Sequence, residues 1–504
     1  MAPTSIAAPA PSAPAPSSRG LAITLGLALL AGGCGPGRAD AEARPDVILL
    51  VVDTLRSDYM SCYGFDRPTT PVLDELAAGG VVFEDNTSQC SWTKPSMVSM
   101  LSGRYVTSYR DRMFERAPTL AECFQQAGYR TVAVVANTLL GEEAGFTRGY
   151  DRYDVSNKPN PERPNKRLAR DLDDLQQALW PLLDEVLTEE DGERLPLFLV
   201  VHAMEPHFPY DLRPELEDEL PLGRAEPIRQ EQREQFLREG PPAPAEDPGW
   251  EQGLLRLKRE RGLYARDVRE ADRQLGLLVE RLAERGVGPN AVFALVSDHG
   301  EALFEELSPL PAVERRTLPP FKFFYREHGV YMRESLIGTP FLLWGEGVPS
   351  GLRIAEPVEN VDVFPTLLDL AGLERPWGLH GRSQLPRLEG EPAEERAFVY
   401  SAVFQHRAIR EVATGLKLVV PTGGGRASGF RTALYDLSAD PGELVDLAAD
   451  RPGEVDRLRA ELEAWIRRYP NESTLGFDLS ERERSELDAM GYAGEGGQAK
   501  SEDD

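Results

Sequence analysis

The sequence is poor in cysteine and in basic charge, and both shortages limit what the protein can be. Only 4 of the 504 residues are Cys, at positions 34, 62, 90 and 123, which is too few for a disulfide framework. Lys and Arg number 56 against 83 Asp and Glu, a net charge of −27. This balance argues against nucleic acid as the main partner, because phosphate backbones are bound by clustered Lys and Arg. It does not exclude a small anionic substrate, since a cationic pocket can form locally in an acidic protein.

The N-terminus offers no hydrophobic run long enough to cross a bilayer. Its first residues, "MAPTSIAAPAPSAPAPSS", form a low-complexity Ala/Pro/Ser segment that cannot build a core. After Arg19, the apolar segment 21–30 falls short of the ~20 residues that a transmembrane helix requires. A single positive charge, a short apolar segment and small residues before a cleavage site are typical of a secretory signal, so we predict export.

Cys34 follows this segment in "AGGCG", where it resembles the lipidated cysteine of bacterial lipoproteins. Ala31 stands where the lipobox motif prefers Leu. The resemblance implies a lipid anchor at Cys34 and a location in the bacterial periplasm or at the outer membrane. The alternative is an ordinary cleaved signal peptide in which Cys34 has no role. Both alternatives predict an exported protein.

Hydrophobic residues make up 41% of the chain, enough for a large core, and many of them lie in short continuous runs. Five of these runs are "DVILLVV" (46–52), "TVAVVA" (131–136), "LFLVV" (197–201), "AVFALV" (291–296) and "PFLLW" (340–344). Such runs, without alternation, predict strands buried on both faces of a parallel sheet. Between them, "VREADRQLGLLVERLAERG" places Leu275, Leu278 and Leu282 at helical spacing. Strands that alternate with helices predict an α/β fold with a doubly wound, mostly parallel sheet.

Polar side chains follow four of the predicted strands. Asp53, Asn137 and His202 follow the first three, and the pair Asp298 and His299 follows the fourth, in "SDHGE". One such residue alone is ordinary, because Asp often caps a following helix. Four strand ends of this kind predict a ligand site, since open α/β sheets bind ligands at the carboxyl ends of their strands.

The residue types at this edge favour a divalent cation. Asp53, Asp298 and His299 supply oxygen and nitrogen ligands that suit such an ion. Two adjacent polar groups such as Asp298 and His299 are costly to bury unless a metal or a hydrogen-bond network satisfies them. We therefore predict that these three side chains bind a metal.

A threonine precedes a predicted helix in "SWTKPSMVSMLSG". Pro95 is expected to be the first helical residue and Gly103 to end the helix, so Thr93 lies just before it. A helix N-terminus favours negative charge, and a hydroxyl beside a cation loses its proton more readily. Cation, hydroxyl and helix end together predict attack on a phosphoryl or sulfuryl centre, although "TKPS" alone would be read as an ordinary N-cap.

Over roughly residues 46 to 470, the chain resembles the sulfatase family of the alkaline phosphatase superfamily. Ten segments carry this resemblance in the family's order: "VILLVVDTLRSDYMSCYG", "TPVLDELAAGGVVFEDNTSQCSWTKPSMVSMLSGRY", "GYRTVAVVAN", "GFTRGYDRYD", "HAMEPHFPY", "SDHGE", "EHGVYMRES", "VDVFPTLLDLAGL", "GRSQL" and "LYDLSADPGELVDL". The resemblance implies a large catalytic domain over 46–390 and a smaller C-terminal α+β domain over 391–490. Residues 1–45 are expected to be signal and low-complexity sequence, and 491–504 a disordered tail.

The family's site residues can be matched one by one. Asp53 matches the first metal aspartate, and Asp298 and His299 match the later metal pair, whereas the family's second aspartate is Thr54 here. The resemblance implies one divalent cation, Ca²⁺ in typical members, with Mn²⁺ and Zn²⁺ as alternatives.

His207 matches the histidine that holds the anionic group or protonates the leaving oxygen, and His328 replaces a lysine common in arylsulfatases. We assign both histidines to catalysis, as the groups that assist the leaving oxygen as general acid. A second family lysine is replaced near Asn137. We assign Asn137 to substrate binding. His202 is assigned there too, with a structural role as the alternative. Lys94 points either at the anion or at solvent.

The nucleophile position departs from the family. Typical sulfatases carry Cys or Ser in C/S-x-P-S-R, and that residue is oxidised to formylglycine. Counting back from Pro95, the position holds Thr93, and Cys90 lies three residues too early. Threonine cannot form that aldehyde, and Met97 replaces the arginine of the maturation signature. The resemblance to superfamily members with a threonine nucleophile implies that Thr93 itself attacks and is bound to the metal, and no formylglycine is expected.

These features leave three hypotheses. The first is a metal-dependent hydrolase of a sulfate or phosphate ester on a glycan, lipid or small molecule. The second is a transferase that moves a phosphoryl-linked group from an envelope lipid to an acceptor. The third is a sulfatase-like binding protein without activity, against which the retained Asp53, His207, Asp298 and His299 argue.

Overall fold

A computed structural model describes residues 44–107, 112–155, 171–187, 194–222, 248–288, 290–307, 324–329, 331–403, 406–422 and 431–470. The predicted signal sequence, Cys34 and the predicted C-terminal tail lie outside these residues. Within the described part of the chain, no helix is both long and apolar enough to cross a membrane.

The chain alternates between strands and helices over most of its described length. The described strands are β1 (Asp46–Val52), β2 (Val81–Phe83), β3 (Asn86–Thr87), β4 (Arg130–Val135), β5 (Arg152–Asp154), β6 (Leu197–Ala203), β7 (Ala291–Val296), β8 (Ala302–Leu307), β9 (Phe324–Glu327), β10 (Phe341–Gly345), β11 (Leu352–Ile354), β12 (Val358–Glu359), β13 (Phe398–Ala402), β14 (His406–Glu411), β15 (Leu416–Pro421) and β16 (Ala433–Asp436).

The described α-helices are α1 (Pro71–Ala78), α2 (Thr93–Ser102), α3 (Leu120–Gln126), α4 (Leu172–Val186), α5 (Pro248–Glu284), α6 (Glu334–Ile337), α7 (Val363–Leu370), α8 (Leu385–Leu388) and α9 (Pro452–Arg468). Short 3₁₀ helices lie at Ser57–Tyr59, Ser61–Tyr63, Thr138–Leu140, Glu142–Ala144, Pro214–Leu216 and Asn360–Asp362.

An eight-stranded sheet forms the centre of the molecule, in the order β11-β2-β10-β7-β1-β6-β4-β5. Its middle strands β7, β1, β6 and β4 run parallel, and all five predicted apolar runs lie in the sheet. The strand formed by "PFLLW", β10, pairs antiparallel with both of its neighbours. A continuous apolar run indicates burial on both faces and carries no information about strand direction. The predicted mostly parallel sheet is confirmed, with one reversed strand inside it.

Helices cover both faces of this sheet, because successive side chains of each strand point in opposite directions. In β1, Val47 and Leu49 belong to one apolar core with residues of α2, α3 and α7. Ile48 and Leu50 belong to a second core with residues of α1, α4 and α5. The predicted doubly wound architecture is therefore confirmed.

A smaller four-stranded antiparallel sheet, in the order β13-β14-β15-β16, lies beyond the central sheet in the sequence. Helix α9 buries Leu458, Leu462 and Trp465 in one apolar cluster with residues of this sheet, as its spacing predicts. Strand β14, "HRAIRE", contains only two apolar residues, so no apolar run in the sequence predicts it. The predicted C-terminal antiparallel sheet with a helix is confirmed, while the proposed domain boundaries stay a prediction.

Candidate active site

The parallel strands bring the predicted polar residues to one edge of the central sheet. Val51 of β1 stands opposite His202 of β6 and opposite Val296 of β7. Asp53 therefore leaves the sheet next to His202 on one side and next to Asp298 on the other. All three polar side chains are completely buried. The register of the strands, rather than any local motif, places them together.

Asp53, His202 and Asp298 form a group that could hold a metal ion, because each offers a ligand atom within 4.8 Å of the other two. Oδ1 of Asp53, Oδ2 of Asp298 and both ring nitrogens of His202 have no hydrogen-bond partner among the described residues. Unsatisfied buried polar atoms are costly, and two buried carboxylates also repel each other. A divalent cation would satisfy the two carboxylate oxygens and one ring nitrogen of His202, so the donor set fits such an ion.

The electrostatic environment of Asp53 also favours a bound cation. Burial, together with the nearby charge of Asp298, holds the pKa of Asp53 well above its ordinary value. Its Oδ2 accepts a hydrogen bond from Asn137 Nδ2 at 3.4 Å. Two ionised carboxylates are stable here only beside a positive charge.

Helix α2 presents Thr93 to this group. The helix begins at Thr93, after Trp92 in extended conformation, and ends at Gly103 in left-handed conformation. The predicted end is correct, but the helix starts two residues before Pro95, because a proline within the first turn removes no intrahelical hydrogen bond. Thr93 Oγ1 lies 3.1 Å from Nε2 of His299 and 3.5 Å from Oδ2 of Asp53.

The ring of His299 is oriented by its own loop. Its Nδ1 lies 2.9 Å from the carbonyl oxygen of Gly300, which favours a proton on Nδ1 and leaves the lone pair on Nε2. Nε2 faces Asp298 Oδ2 at 3.5 Å and Asp53 Oδ1 at 3.7 Å. Burial lowers the pKa of His299 to about 4, so the imidazole is neutral at pH 7 and can act as a ligand.

Hydrogen bonds hold both the side chain and the backbone carbonyl of Asp298 in place. Its Oδ1 accepts hydrogen bonds from the backbone N–H of His299 at 2.9 Å and of Thr54 at 3.3 Å. Its backbone carbonyl accepts from the hydroxyl of Ser96 at 2.6 Å and from that of Ser88. Sequence reasoning missed both serines. The spacing of Ser96, one helical turn after Thr93 on α2, is a signal that could have placed it on the same face.

Two further histidines form a row of neighbouring rings with His299. Its ring centroid is 4.3 Å from that of His328, which in turn lies 5.1 Å from that of His207. Nδ1 of His328 is 3.1 Å from Oε1 of Glu301, a buried carboxylate of "SDHGE" whose role sequence reasoning did not assign. Burial lowers the pKa of His207 to about 3 and that of His328 to about 4. Both predicted proton carriers are therefore close to the site and neutral.

The remaining candidates are buried as well. The side chain of Asn137 bridges Asp53 and the backbone N–H of Leu139, which it caps at 3.0 Å. Lys94 is 2% exposed, so the alternative in which it points into solvent is wrong.

Cys90 is completely buried in an apolar cluster with Trp92, and burial raises the pKa of its thiol. A buried, protonated thiol is a poor nucleophile.

Two family models match overlapping parts of the chain. A family model described as "Sulfatase" matches residues 45–373. A second model, described as "N-sulphoglucosamine sulphohydrolase, C-terminal", matches residues 323–469.

Two curated relatives match this chain over most of their length. The chain is 25% identical over 476 residues to the choline-sulfatase of Rhizobium meliloti (strain 1021), covering 82% of this chain and 84% of that protein. It is 23% identical over 483 residues to the Delta 4,5-hexuronate-2-O-sulfatase of Bacteroides thetaiotaomicron, covering 88% and 92%.

Solved structures share the fold. The phosphonate monoester hydrolase of Agrobacterium radiobacter has a TM-score of 0.63 at 19% identity, covering 87% of this chain and 99% of that structure. A putative sulfatase from Bacteroides thetaiotaomicron has a TM-score of 0.61 at 19% identity, covering 88% and 96%.

Proposed function

Because the chain belongs to the sulfatase family, we propose that it is a metal-dependent ester hydrolase in which Thr93 is the nucleophile. The observation that carries this proposal is the position of Thr93 Oγ1. It lies at the first residue of α2, completely buried, 3.1 Å from His299 Nε2 and 3.5 Å from Asp53 Oδ2. The curated relatives are named as sulfatases, and a structural neighbour is a phosphonate monoester hydrolase.

Asp53, Asp298 and His299 would hold a divalent cation, supported by the unpartnered oxygens of both carboxylates. When bound, such an ion supplies positive charge that favours the alkoxide form of a neighbouring hydroxyl and neutralises the transferred anion. Met97 and the absence of Cys or Ser at position 93 argue against a formylglycine.

Thr93 carries the covalent step in this proposal. Its hydroxyl gives its proton to solvent water as the alkoxide forms. Oγ1 then forms a bond to phosphorus or sulfur, and the bond from that atom to the ester oxygen breaks. The positive end of the α2 dipole, at Thr93, favours the negative charge of the transferred group. Water then attacks the same atom, and the bond to Oγ1 breaks.

His207 and His328 assist the departure of the leaving oxygen by proton transfer. Burial keeps both imidazoles neutral, and an anionic substrate beside them favours their protonated forms. His207 gives its proton to the departing oxygen and recovers one from the attacking water. The carboxylate of Glu301, 3.1 Å from His328 Nδ1, holds that ring in place.

We favour a phosphoester over a sulfate ester as substrate. A threonine ester is released only when water attacks phosphorus or sulfur, whereas an aldehyde hydrate can expel its ester by elimination. An unmodified threonine therefore suits phosphoryl transfer better. The names of the sulfatase relatives keep a sulfated glycan or small molecule as the alternative.

Export and a lipid anchor at Cys34 are part of the proposal and rest on the N-terminal sequence alone. A substitution Cys34→Ala is expected to release the protein from the membrane fraction, because the acyl chains supply most of the affinity.

The nucleophile is tested by turnover and by intact mass. Purified protein is assayed with aryl phosphodiester, aryl phosphonate and aryl sulfate in a series of divalent metals. We expect Thr93→Ala to reduce turnover by at least about 1,000-fold, Thr93→Ser to retain part of it and Cys90→Ala most of it.

Intact mass spectrometry of the reacting enzyme should reveal one phosphoryl or sulfuryl group on Thr93 and no formylglycine. Activity that survives Thr93→Ala but is lost in Cys90→Ala would contradict the assignment.

A further inference from the structure

His202 belongs to the group that could hold a metal ion, yet the proposed reaction gives it no task. It lies near the end of β6, completely buried, between the strands that carry Asp53 and Asn137. Neither of its ring nitrogens has a hydrogen-bond partner among the described residues. A buried imidazole without partners is costly, so its position calls for a ligand.

The distances from both histidines to Asp53 are compatible with a shared ion. Two ligands that each bind a cation at ~2.1 Å stand roughly 3.0 to 4.2 Å apart, depending on the angle between them. His202 Nε2 lies 3.8 Å from Asp53 Oδ2, inside this interval. His299 Nε2 satisfies it too, at 3.7 Å from Asp53 Oδ1 and 3.5 Å from Asp298 Oδ2.

We infer that His202 is a further ligand of the cation, and that the site therefore selects a first-row transition metal such as Zn²⁺ or Mn²⁺ over Ca²⁺. The inference rests on the proposed function, in that it concerns the metal used there. With His202 and His299, two imidazoles join the two carboxylates of Asp53 and Asp298. Ca²⁺ prefers six to eight oxygen ligands, whereas imidazole nitrogen suits Zn²⁺ and its neighbours.

Thr54 supports the same conclusion. At this position, directly after Asp53, a carboxylate would add two oxygens and one negative charge to the site. The chain instead provides a hydroxyl, whose oxygen is buried without a hydrogen-bond partner among the described residues. Fewer oxygens and more nitrogens shift the preference of the site away from Ca²⁺.

The test measures metal binding rather than turnover. Metal-stripped protein is titrated with Zn²⁺, Mn²⁺ and Ca²⁺ by calorimetry, its metal content after purification is determined by mass spectrometry, and the visible spectrum of the Co²⁺-loaded form reports nitrogen ligation. The variants are His202→Asn, His202→Gln and, as a control, His380→Gln. The ring of His380 accepts a hydrogen bond from the backbone of Tyr105 and takes no part in the site.

We expect the parent to bind Zn²⁺ and Mn²⁺ at least ~10-fold more tightly than Ca²⁺. Both His202 variants should lose at least ~10-fold in Zn²⁺ affinity, change the Co²⁺ spectrum and keep their Ca²⁺ affinity within ~3-fold. His380→Gln should leave all three affinities unchanged.

Asp298→Asn separates this inference from the proposed function. If Asp298→Asn abolishes binding while the His202 variants bind as the parent does, His202 is no ligand and the proposed metal site stands. If the parent prefers Ca²⁺, the selectivity is wrong. If the parent binds no divalent metal at all, the metal dependence of the proposed function fails as well.

Discussion

Asp53 and Asp298 share one buried pocket, and this close approach of two carboxylates is a cost that the folded chain carries for the site. Burial and the charge of Asp298 both raise the pKa of Asp53. Hydrogen bonds from Asn137 and from the backbone of Thr54 and His299 offset only part of this repulsion. At the scale of single residues, stability and metal binding therefore oppose each other.

The substitution Asp298→Asn tests this opposition. Without metal, we expect the variant to unfold at the same temperature as the parent or higher, because one of two repelling buried charges is gone. With saturating Zn²⁺ or Mn²⁺, only the parent should gain stability, by about 2.7 kcal/mol at a concentration of 100 Kd. Thermal unfolding in EDTA and in metal provides both numbers. A variant that unfolds far below the parent in EDTA would contradict the repulsion argument.

Helix α2 is the element on which the proposed chemistry depends, and both of its ends are constrained. Its first residue is Thr93, and every residue from Thr93 to Ser102 is buried. Its C-terminal cap, Gly103, has a φ of +63°. A Cβ added there would meet Leu379 Cδ2 at 2.7 Å and Phe364 Cγ at 3.0 Å. The cap thus needs glycine both for its conformation and for close packing.

We expect Gly103→Ala to destabilise the protein more than Gly372→Ala. Gly372 has a φ of +66° but no atom within 4 Å of an added Cβ, so it isolates the conformational cost. That cost is about 1 to 2 kcal/mol, and overpacking at Gly103 should add about 1 to 3 kcal/mol. Urea unfolding of both variants measures the difference. Equal losses in the free energy of unfolding would mean that Leu379 and Phe364 move aside for the added methyl group at no energetic cost.

At the scale of the whole molecule, ion pairs of two buried cations, Arg396 just before β13 and Lys417 of β15, join the C-terminal part of the chain to the larger domain. Arg396 contacts Glu359 at 2.6 Å and also Asp362, and both carboxylates are completely buried. Lys417 of β15 contacts Glu334 of α6 at 2.7 Å. Such pairs contribute little net stability when complete but are costly to break, because the remaining charge is buried alone.

The substitution Arg396→Met is therefore expected to cost about 3 to 5 kcal/mol. The matched control is Arg457→Met, which removes a partly exposed arginine paired with Glu411 and Glu454 and should cost about 1 kcal/mol or less. Chemical denaturation of both variants provides the comparison. If Arg396→Met costs as little as Arg457→Met, the claim that Glu359 and Asp362 are left buried without a countercharge would be wrong.

Much of the fold follows from the sequence, because strong local patterns determine it. The apolar runs predict the central strands, and the spacing of Leu275, Leu278 and Leu282 predicts helix α5. The reversal of β10 and the strand β14 could not be predicted. Strand direction depends on connections across the sheet, and "HRAIRE" contains only two apolar residues, Ala408 and Ile409, between polar ones.

The same division holds for the site. The sequence by itself determined which polar residues follow the strands, and that Thr93 rather than Cys90 stands before "KPS". Only the tertiary structure decided which of their atoms meet, since parallel register sets His202 beside Asp53 and α2 brings Thr93 within 3.1 Å of His299. Ser88, Ser96 and Glu301 gain their roles only through contacts across 27 to 210 residues of sequence. Local patterns encode the elements, whereas the chemistry of the site depends on distances that no local pattern specifies.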